Sequence, residues 1–251
     1  MTPNLLILGG TVEASALARK VAEAGISATL SFAGRVERTK PQPIPIRVGG
    51  FGGVQGLAEY LRAHRVTYLI DATHPFAAQM SRNAVQAAAL AGVPMAALTR
   101  APWQRQPGDR WTEVTDVTGA GAKLRGPARR VMLAVGRMHL AEFAPNPQHF
   151  YLLRLVDPVD GDLPFPNVHA LIDRGPFSYD SDLALLRDHR IDLVVSKNAG
   201  GTGARAKIDA ARDLGLEVLM IQRPELPQRE EVHSAEDAMA WLAAHPTDRG
   251  V

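Results

Sequence analysis

The sequence predicts an α/β fold made of two αβα halves with mostly parallel sheets and a cleft between them. Three observations carry that prediction. Short apolar runs alternate with helical segments along most of the chain, the order expected when parallel strands are joined by covering helices. Each half also holds a strand, a glycine-rich turn and a helix start in direct succession, at residues 5–14 and 191–214. Between the halves lies an aperiodic stretch, T-R-A-P-W-Q-R-Q-P-G-D-R-W at 99–111, with two prolines, three arginines and two tryptophans. It reads as a linker lying against the cleft, and it divides the chain into expected domains 1–99 and 100–251.

The opening stretch organises the first half. Leu5, Leu6, Ile7 and Leu8 suit a buried strand, and Gly9-Gly10 lets the backbone turn sharply. Thr11 is placed to open a helix, with Glu13 in its first turn and Ala14, Leu17, Ala18 and Val21 at helical spacing up to Gly25. Unpaired amides and the positive dipole end of that helix favour an anion, with a phosphate as the natural occupant. The plainer alternative is a tight strand-to-helix turn, because Glu13 and Ala14 stand where the third glycine of a dinucleotide fingerprint would fall.

A second strand, 28–32, ends in Ser31-Phe32-Ala33-Gly34-Arg35. In a dinucleotide fold a carboxylate here selects NAD and a cation accepts the extra phosphate of NADP. No acid is present, so Ser31, Arg35, Arg38 and Lys40 favour NADPH, unless they form a merely solvated basic loop. Strand 44–48 runs into Gly49-Gly50-Phe51-Gly52-Gly53, where Phe51 offers a face to a planar ring and the glycines admit close approach of an adenine or of neighbouring backbone. Helix 54–63 leads to strand 66–70 and to Asp71-Ala72-Thr73-His74-Pro75-Phe76-Ala77, at a strand end where ligands of parallel sheets bind. Asp71 alone reads as a loop-fixing carboxylate. His74 has its backbone held extended by Pro75 and carries an imidazole suited to proton donation. Helix 76–91 and strand 94–98 complete this half.

In the second half, strands are expected at 130–135, 150–156, 168–172, 191–195 and 217–221, and helices at 138–143, 181–189, 204–214 and from Ser234 to about Ala244. The turn Ser196-Lys197-Asn198-Ala199-Gly200-Gly201-Thr202-Gly203 reads as a second anion cradle with a lysine inside it, the plainer alternative being a lysine that merely caps the preceding elements. Arg137, Arg154, Arg174 and Lys197 stand at or near strand ends, where together they would make a cationic wall for a substrate bearing several carboxylates.

Composition narrows the classes. The chain has 251 residues, 46% of them hydrophobic and 22% charged, and a formal charge of +2 that is too small for a dedicated nucleic-acid binder. No stretch has transmembrane length, and the first strand follows Met1-Thr2-Pro3 at once, so a cytoplasmic location without membrane partner is expected. The absence of cysteine removes disulfides, thiolate nucleophiles and cysteine-ligated metals, so redox chemistry needs a bound organic cofactor, and no metal site is expected. None of the four tyrosines has a lysine four residues on, and the sequence holds no G-x-S-x-G, P-loop or H-E-x-x-H pattern, which removes short-chain dehydrogenase, hydrolase, P-loop and zinc-protease readings.

Read together, G-G-T-x-E-A at 9–14, G-R at 34–35, R-x-G-G-F-G-G at 47–53, D-A-T-H-P-F-A at 71–77, R-G-P-F at 174–177 and K-N-x-G-G at 197–201 resemble the precorrin-6A reductase family of cobalamin biosynthesis. The resemblance spans nearly the whole chain. It implies two Rossmann-like domains with the active site between them, and NADPH-dependent reduction of the macrocycle of precorrin-6A to precorrin-6B. On that reading Gly9, Gly10, Thr11 and Val12 meet the pyrophosphate, and Ser31, Gly34 and Arg35 the 2′-phosphate. Gly50, Phe51, Gly52 and Gly53 meet the adenine, and Asp71, Ala72, Thr73 and His74 the nicotinamide end. Arg137, Arg174, Ser196, Asn198, Gly200, Gly201 and Thr202 take the macrocycle. Thr73, His74 and Lys197 are the candidates for acid or polarising roles, with water as another source of the proton. The rivals are an NADPH reductase of another polycarboxylate and an NADP-binding redox sensor without turnover. The oligomeric state is not legible.

Overall fold

A computed structural model describes residues 3–33, 41–156, 161–173 and 177–245. The chain divides into two compact units, Met1–Ala101 with Glu225–Val251, and Pro102–Pro224.

The first unit begins with β1 (Asn4–Leu8), α1 (Val12–Glu23), β2 (Ser27–Phe32), β3 (Ile46–Val48), α2 (Gly53–Ala63), β4 (Tyr68–Asp71), α3 (Ala78–Ala91) and β5 (Met95–Leu98). These strands pair in the order β3-β2-β1-β4-β5, all parallel. The apolar run of β1 serves both faces. Leu5 and Ile7 pack with Leu17, Val21, Leu30 and Ile70 on one side, while Leu6 and Leu8 pack with Leu57, Leu61 and Leu69 on the other. A strand buried on both faces has no polar alternation to show, which is why it reads as a continuous apolar stretch.

The second unit contains β6 (Arg110–Val114), α4 (Val117–Lys123), β7 (Arg130–Ala134), a 3₁₀ turn (Arg137–Phe143), β8 (Phe150–Leu155), β9 (Val168–Ile172), α5 (Tyr179–Asp188), β10 (Leu193–Lys197), α6 (Ala206–Asp213) and β11 (Glu217–Ile221). Its sheet is again all parallel, in the order β6-β11-β10-β7-β8-β9. The stretch 99–111 is therefore more than a linker. Trp103 and Trp111 are buried in the core of this unit with Met132, Leu152, Val194 and Met220, and β6 starts at Arg110.

The chain then returns. β12 (Glu230–Val232) adds to the first sheet beside β5, in parallel, and α7 (Ala235–Ala244) lays Ala235, Ala238, Trp241 and Leu242 into the core of the first unit. A single domain at 100–251 is corrected on this point: the apolar face of α7 has its complement on α1 and β1, so everything from Glu225 onward belongs with the amino-terminal unit. In both sheets the strand order reverses direction next to a central strand, between β1 and β4 in one and between β7 and β10 in the other. Such points leave a crevice at the carboxyl ends of the strands, where ligands of parallel sheets bind.

Candidate functional site: two glycine turns at the sheet switch points

At the first switch point the ends of β1, β2 and β4 lie at one level, with Leu8 in register with Ser31 on one side and Asp71 on the other. Gly9 continues the ladder by donating its amide to the Ser31 carbonyl at 2.8 Å. Gly10 has φ of +119°, outside the range open to ordinary side chains, and no atom within 4 Å of where a Cβ would sit. The turn is thus open on its outer side. Thr11 caps α1 by accepting from the Ala14 amide at 3.1 Å, and the same hydroxyl donates to the Ala72 carbonyl at 2.8 Å. One side chain therefore clasps the glycine turn to the loop after β4. The first-turn amides of Val12 and Glu13 belong to the group that an α-helix leaves without internal acceptors, and Val12 is 71% exposed.

Beyond β4, the loop is held from beneath. Asp71 is buried, and its carboxylate accepts from Thr73 N at 3.1 Å, Thr73 Oγ1 at 2.7 Å, Ser81 Oγ at 2.6 Å and Arg229 Nη1 at 3.0 Å. Asp71, expected as a cofactor contact, has both carboxylate oxygens engaged within the protein, where they hold the loop. Thr73 directs its hydroxyl proton at Asp71, which leaves that oxygen an acceptor rather than a donor for a ligand. His74 is exposed, and its Nδ1 accepts from Phe76 N at 3.2 Å, so in the neutral ring the proton sits on Nε2.

The turn after β3 is organised by a residue the sequence reading quoted within a motif but gave no role. Arg47 lies opposite Ser31 in the ladder. Its Nη1 donates to Ser31 Oγ at 3.2 Å and to the Gly49 carbonyl at 2.5 Å, its Nη2 to the Gly50 carbonyl at 2.7 Å, and its guanidinium lies 3.7 Å from the centre of the Phe51 ring. Phe51 thus has one ring face covered by Arg47, with Tyr60 edge-on at 5.1 Å. Gly52 and Gly53 follow at φ of +79° and +87° into α2. Ala72 is buried and contributes its carbonyl to Thr11. Gly34 and Arg35 lie outside the described residues.

At the second switch point, β10 ends in Ser196 and Lys197. Ser196 is buried, with its hydroxyl donating to the Lys197 carbonyl at 3.2 Å. Burial pushes the Lys197 ammonium down to about 8. Asn198, expected to touch substrate, clamps Trp103 with its side-chain amide. It is buried, accepts from Trp103 N at 2.7 Å and donates to Trp103 O at 3.0 Å, so both ends of its amide are used. The Trp103 indole donates to the Gly201 carbonyl at 2.6 Å, and Arg223 donates to the carbonyls of Asn198 and Ala199, each at 3.0 Å. Gly200 and Gly201, at φ of +70° and +69°, carry the turn past these anchors to the exposed Thr202. No spacing signal in the sequence pointed to Trp103 or Arg223, since both act on this turn from other parts of the unit. Arg137 is exposed at the start of the 3₁₀ turn after β7. Arg154, expected in the cationic wall, is instead buried against Asp182 with its guanidinium 4.3 Å from the centre of the Phe177 ring. Arg174 lies outside the described residues. Among the described residues no cluster of three His, Cys, Asp or Glu could hold a metal ion, and no helix is long and apolar enough to cross a membrane.

A family model described as Precorrin-6x reductase CbiJ/CobK matches residues 4–243. The precorrin-6A reductase of Rhodobacter capsulatus is 54% identical over 249 residues, 99% of this chain and 99% of that one. That of Mycobacterium tuberculosis is 41% identical over 97% of this chain and 99% of its own length. The solved structure of CobK precorrin-6A reductase is 54% identical and covers 99% of this chain and 100% of its own, with a TM-score of 0.94. The likeness in sequence and in fold runs from end to end, and the chain belongs to the precorrin-6x reductase CbiJ/CobK family.

Proposed function

We propose that this chain reduces precorrin-6A to precorrin-6B in cobalamin biosynthesis, with NADPH as the reductant. The observation that carries the reading is the Thr11 clasp, which joins an open glycine turn and a helix start to the D-A-T-H loop at one switch point. The fit to a dinucleotide is good on the residues themselves. Gly10 leaves open space where a side chain would obstruct, the first-turn amides of α1 face the same spot, and Ser31 and Arg47 bring a hydroxyl and a guanidinium to the end of β2.

When bound, NADPH supplies the hydride. The protein binds, orients and supplies the proton. Main-chain amides at Gly10, Thr11 and Val12 take the pyrophosphate, while Ser31, with Gly34 and Arg35 of the following segment, takes the 2′-phosphate and so prefers NADPH to NADH. The backbone of 50–53 lies along the adenine. Ala72, Thr73 and His74 border the nicotinamide, with Thr73 accepting and His74 Nε2 donating. In the second unit Arg137, Arg174 and the turn from Gly200 and Gly201 to the exposed Thr202 receive the carboxylates of the macrocycle. Lys197 Nζ holds the proton to be delivered, at a pKa of about 8 that keeps it transferable near neutral pH. Anaerobic mixing of the protein with precorrin-6A and either coenzyme, followed spectrophotometrically, tests the proposal. Stoichiometric oxidation of NADPH, with NADH much slower, is the expected outcome, and no oxidation of either coenzyme would overturn it.

A further inference from the structure

The late return of the chain to the first unit carries a buried cation beneath the D-A-T-H loop. Arg229 lies just ahead of β12 and is 158 positions from Asp71 in the chain, yet its Nη1 donates to Asp71 Oδ2 at 3.0 Å. The two side chains are 8% and 2% exposed. Arg229 Nε faces Glu231 Oε1 at 3.3 Å, so the guanidinium is oriented from both ends. Asp71 Oδ2 also accepts from Ser81 Oγ of α3, while Oδ1 takes the amide and hydroxyl of Thr73. A carboxylate this deeply buried keeps one geometry only while its partners are in place. The shape of residues 72–74, and with it the Ala72 carbonyl that Thr11 clasps, thus depends on a side chain from the far end of the sequence.

We propose that Arg229 is a positioning residue for the reduction. It fixes Asp71, and Asp71 fixes the loop that borders the reacting ring. This rests on the reading that the loop after β4 seats the nicotinamide. The pyrophosphate grip at residues 9–12 shares only the Thr11 clasp with this network, so the predicted loss falls on turnover rather than on coenzyme affinity. Transfer between two bound partners is sensitive to displacements well below those that abolish binding.

The test compares Arg229→Met, Arg229→Lys and Ser81→Ala in the full chain, measuring kcat with precorrin-6A, NADPH affinity by fluorescence titration, and amide hydrogen exchange. Arg229→Met is expected to lower kcat about 30-fold while affinity stays within about threefold. Arg229→Lys, which keeps a cation opposite Asp71, should recover most of that loss. Exchange at residues 72–77 should quicken in Arg229→Met with β1 unchanged. Should Arg229→Met fail to fold, Ser81→Ala removes one donor from the same oxygen and is expected to cost about fivefold in kcat at unchanged affinity. Wild-type kcat and wild-type loop exchange in the variants would overturn the proposal, as would kcat and affinity falling in proportion. A wild-type chain that does not oxidise NADPH with precorrin-6A would defeat the reductase reading instead, and the exchange comparison would still decide whether Arg229 fixes the loop.

Discussion

Two lysines of the second unit are held below their ordinary pKa of 10.5, each at about 8, and they answer different questions. Lys197 is lowered by burial at the end of β10. Lys207 is lowered by burial, with Asp182 raising it and Arg154 lowering it, and its Nζ donates to the Ala204 carbonyl at 2.6 Å. A lysine whose folded pKa lies below its unfolded value disfavours the folded state most while it is charged. Stability from both groups therefore rises with pH between about 8 and 10.5, where the unfolded chain still binds the proton and the folded one does not. Turnover runs the other way if Lys197 delivers the proton, since the charged form is the one required. We expect kcat to fall as pH rises through about 8, and Lys197→Met to lose about 100-fold at neutral pH and to abolish that limb. Thermal unfolding of the same variant should keep the rise in stability contributed by Lys207. A variant retaining the alkaline limb would remove Lys197 from the proton step. At this scale the sequence showed which residues stand at strand ends, but not which are engaged. Arg154, Asp71 and Asn198 have the types and positions of ligand contacts, and all three are turned inward by partners distant in the chain.

Among the elements, those with a clear apolar period were legible and those held by neighbours were not. β1 and α1 follow from a buried run and from Ala14, Leu17, Ala18 and Val21. β12 is a three-residue edge strand reading E-E-V, and α4 reads V-T-G-A-G-A-K with two glycines, so neither carries a propensity or a period that a local reading can use. Each forms because a finished surface receives it. The turn 49–53 shows the same dependence in a testable form. α2 approaches so closely that a Cβ on Gly56 would meet the Phe51 carbonyl oxygen at 1.8 Å, and that carbonyl belongs to backbone that cannot swing aside like a side chain. Gly56→Ala should force α2 and the turn apart and loosen the Arg47 bonds to Gly49 and Gly50. The expected cost is about 1–3 kcal/mol in urea unfolding, together with weakened NADPH binding. Wild-type stability would mean that α2 accommodates the methyl by a shift the described packing does not allow.

For the molecule as a whole, continuity in sequence and continuity in structure part company. The two sheets follow one strand order, and in each the sixth strand comes from outside the run that builds the other five: β12 from the end of the chain in one unit, β6 from the connecting stretch in the other. The alternation of strands and helices made the α/β class legible, but nothing local tells a terminal helix which sheet it will cover. That choice is made by the packing of Trp241 and Leu242 with Leu5, Ile7 and Val21, by the edge-on contact of Trp241 with Tyr68 at 6.0 Å, and by the Tyr68 hydroxyl donating to the His245 carbonyl. Loss of one such buried aromatic costs about 3–5 kcal/mol, a large part of the stability of a domain this size. A fragment ending at residue 99 should therefore not fold cooperatively or bind NADPH, although it holds the whole glycine turn and the D-A-T-H loop. Residues 1–101 joined through a short flexible linker to 225–251 should do both, because the joined piece restores β12, the α7 face and the Arg229–Asp71 contact together. Thermal unfolding and NADPH titration of the two polypeptides distinguish them, and a fragment 1–99 that melts cooperatively and binds the coenzyme would show that the returning segment is dispensable to the first unit.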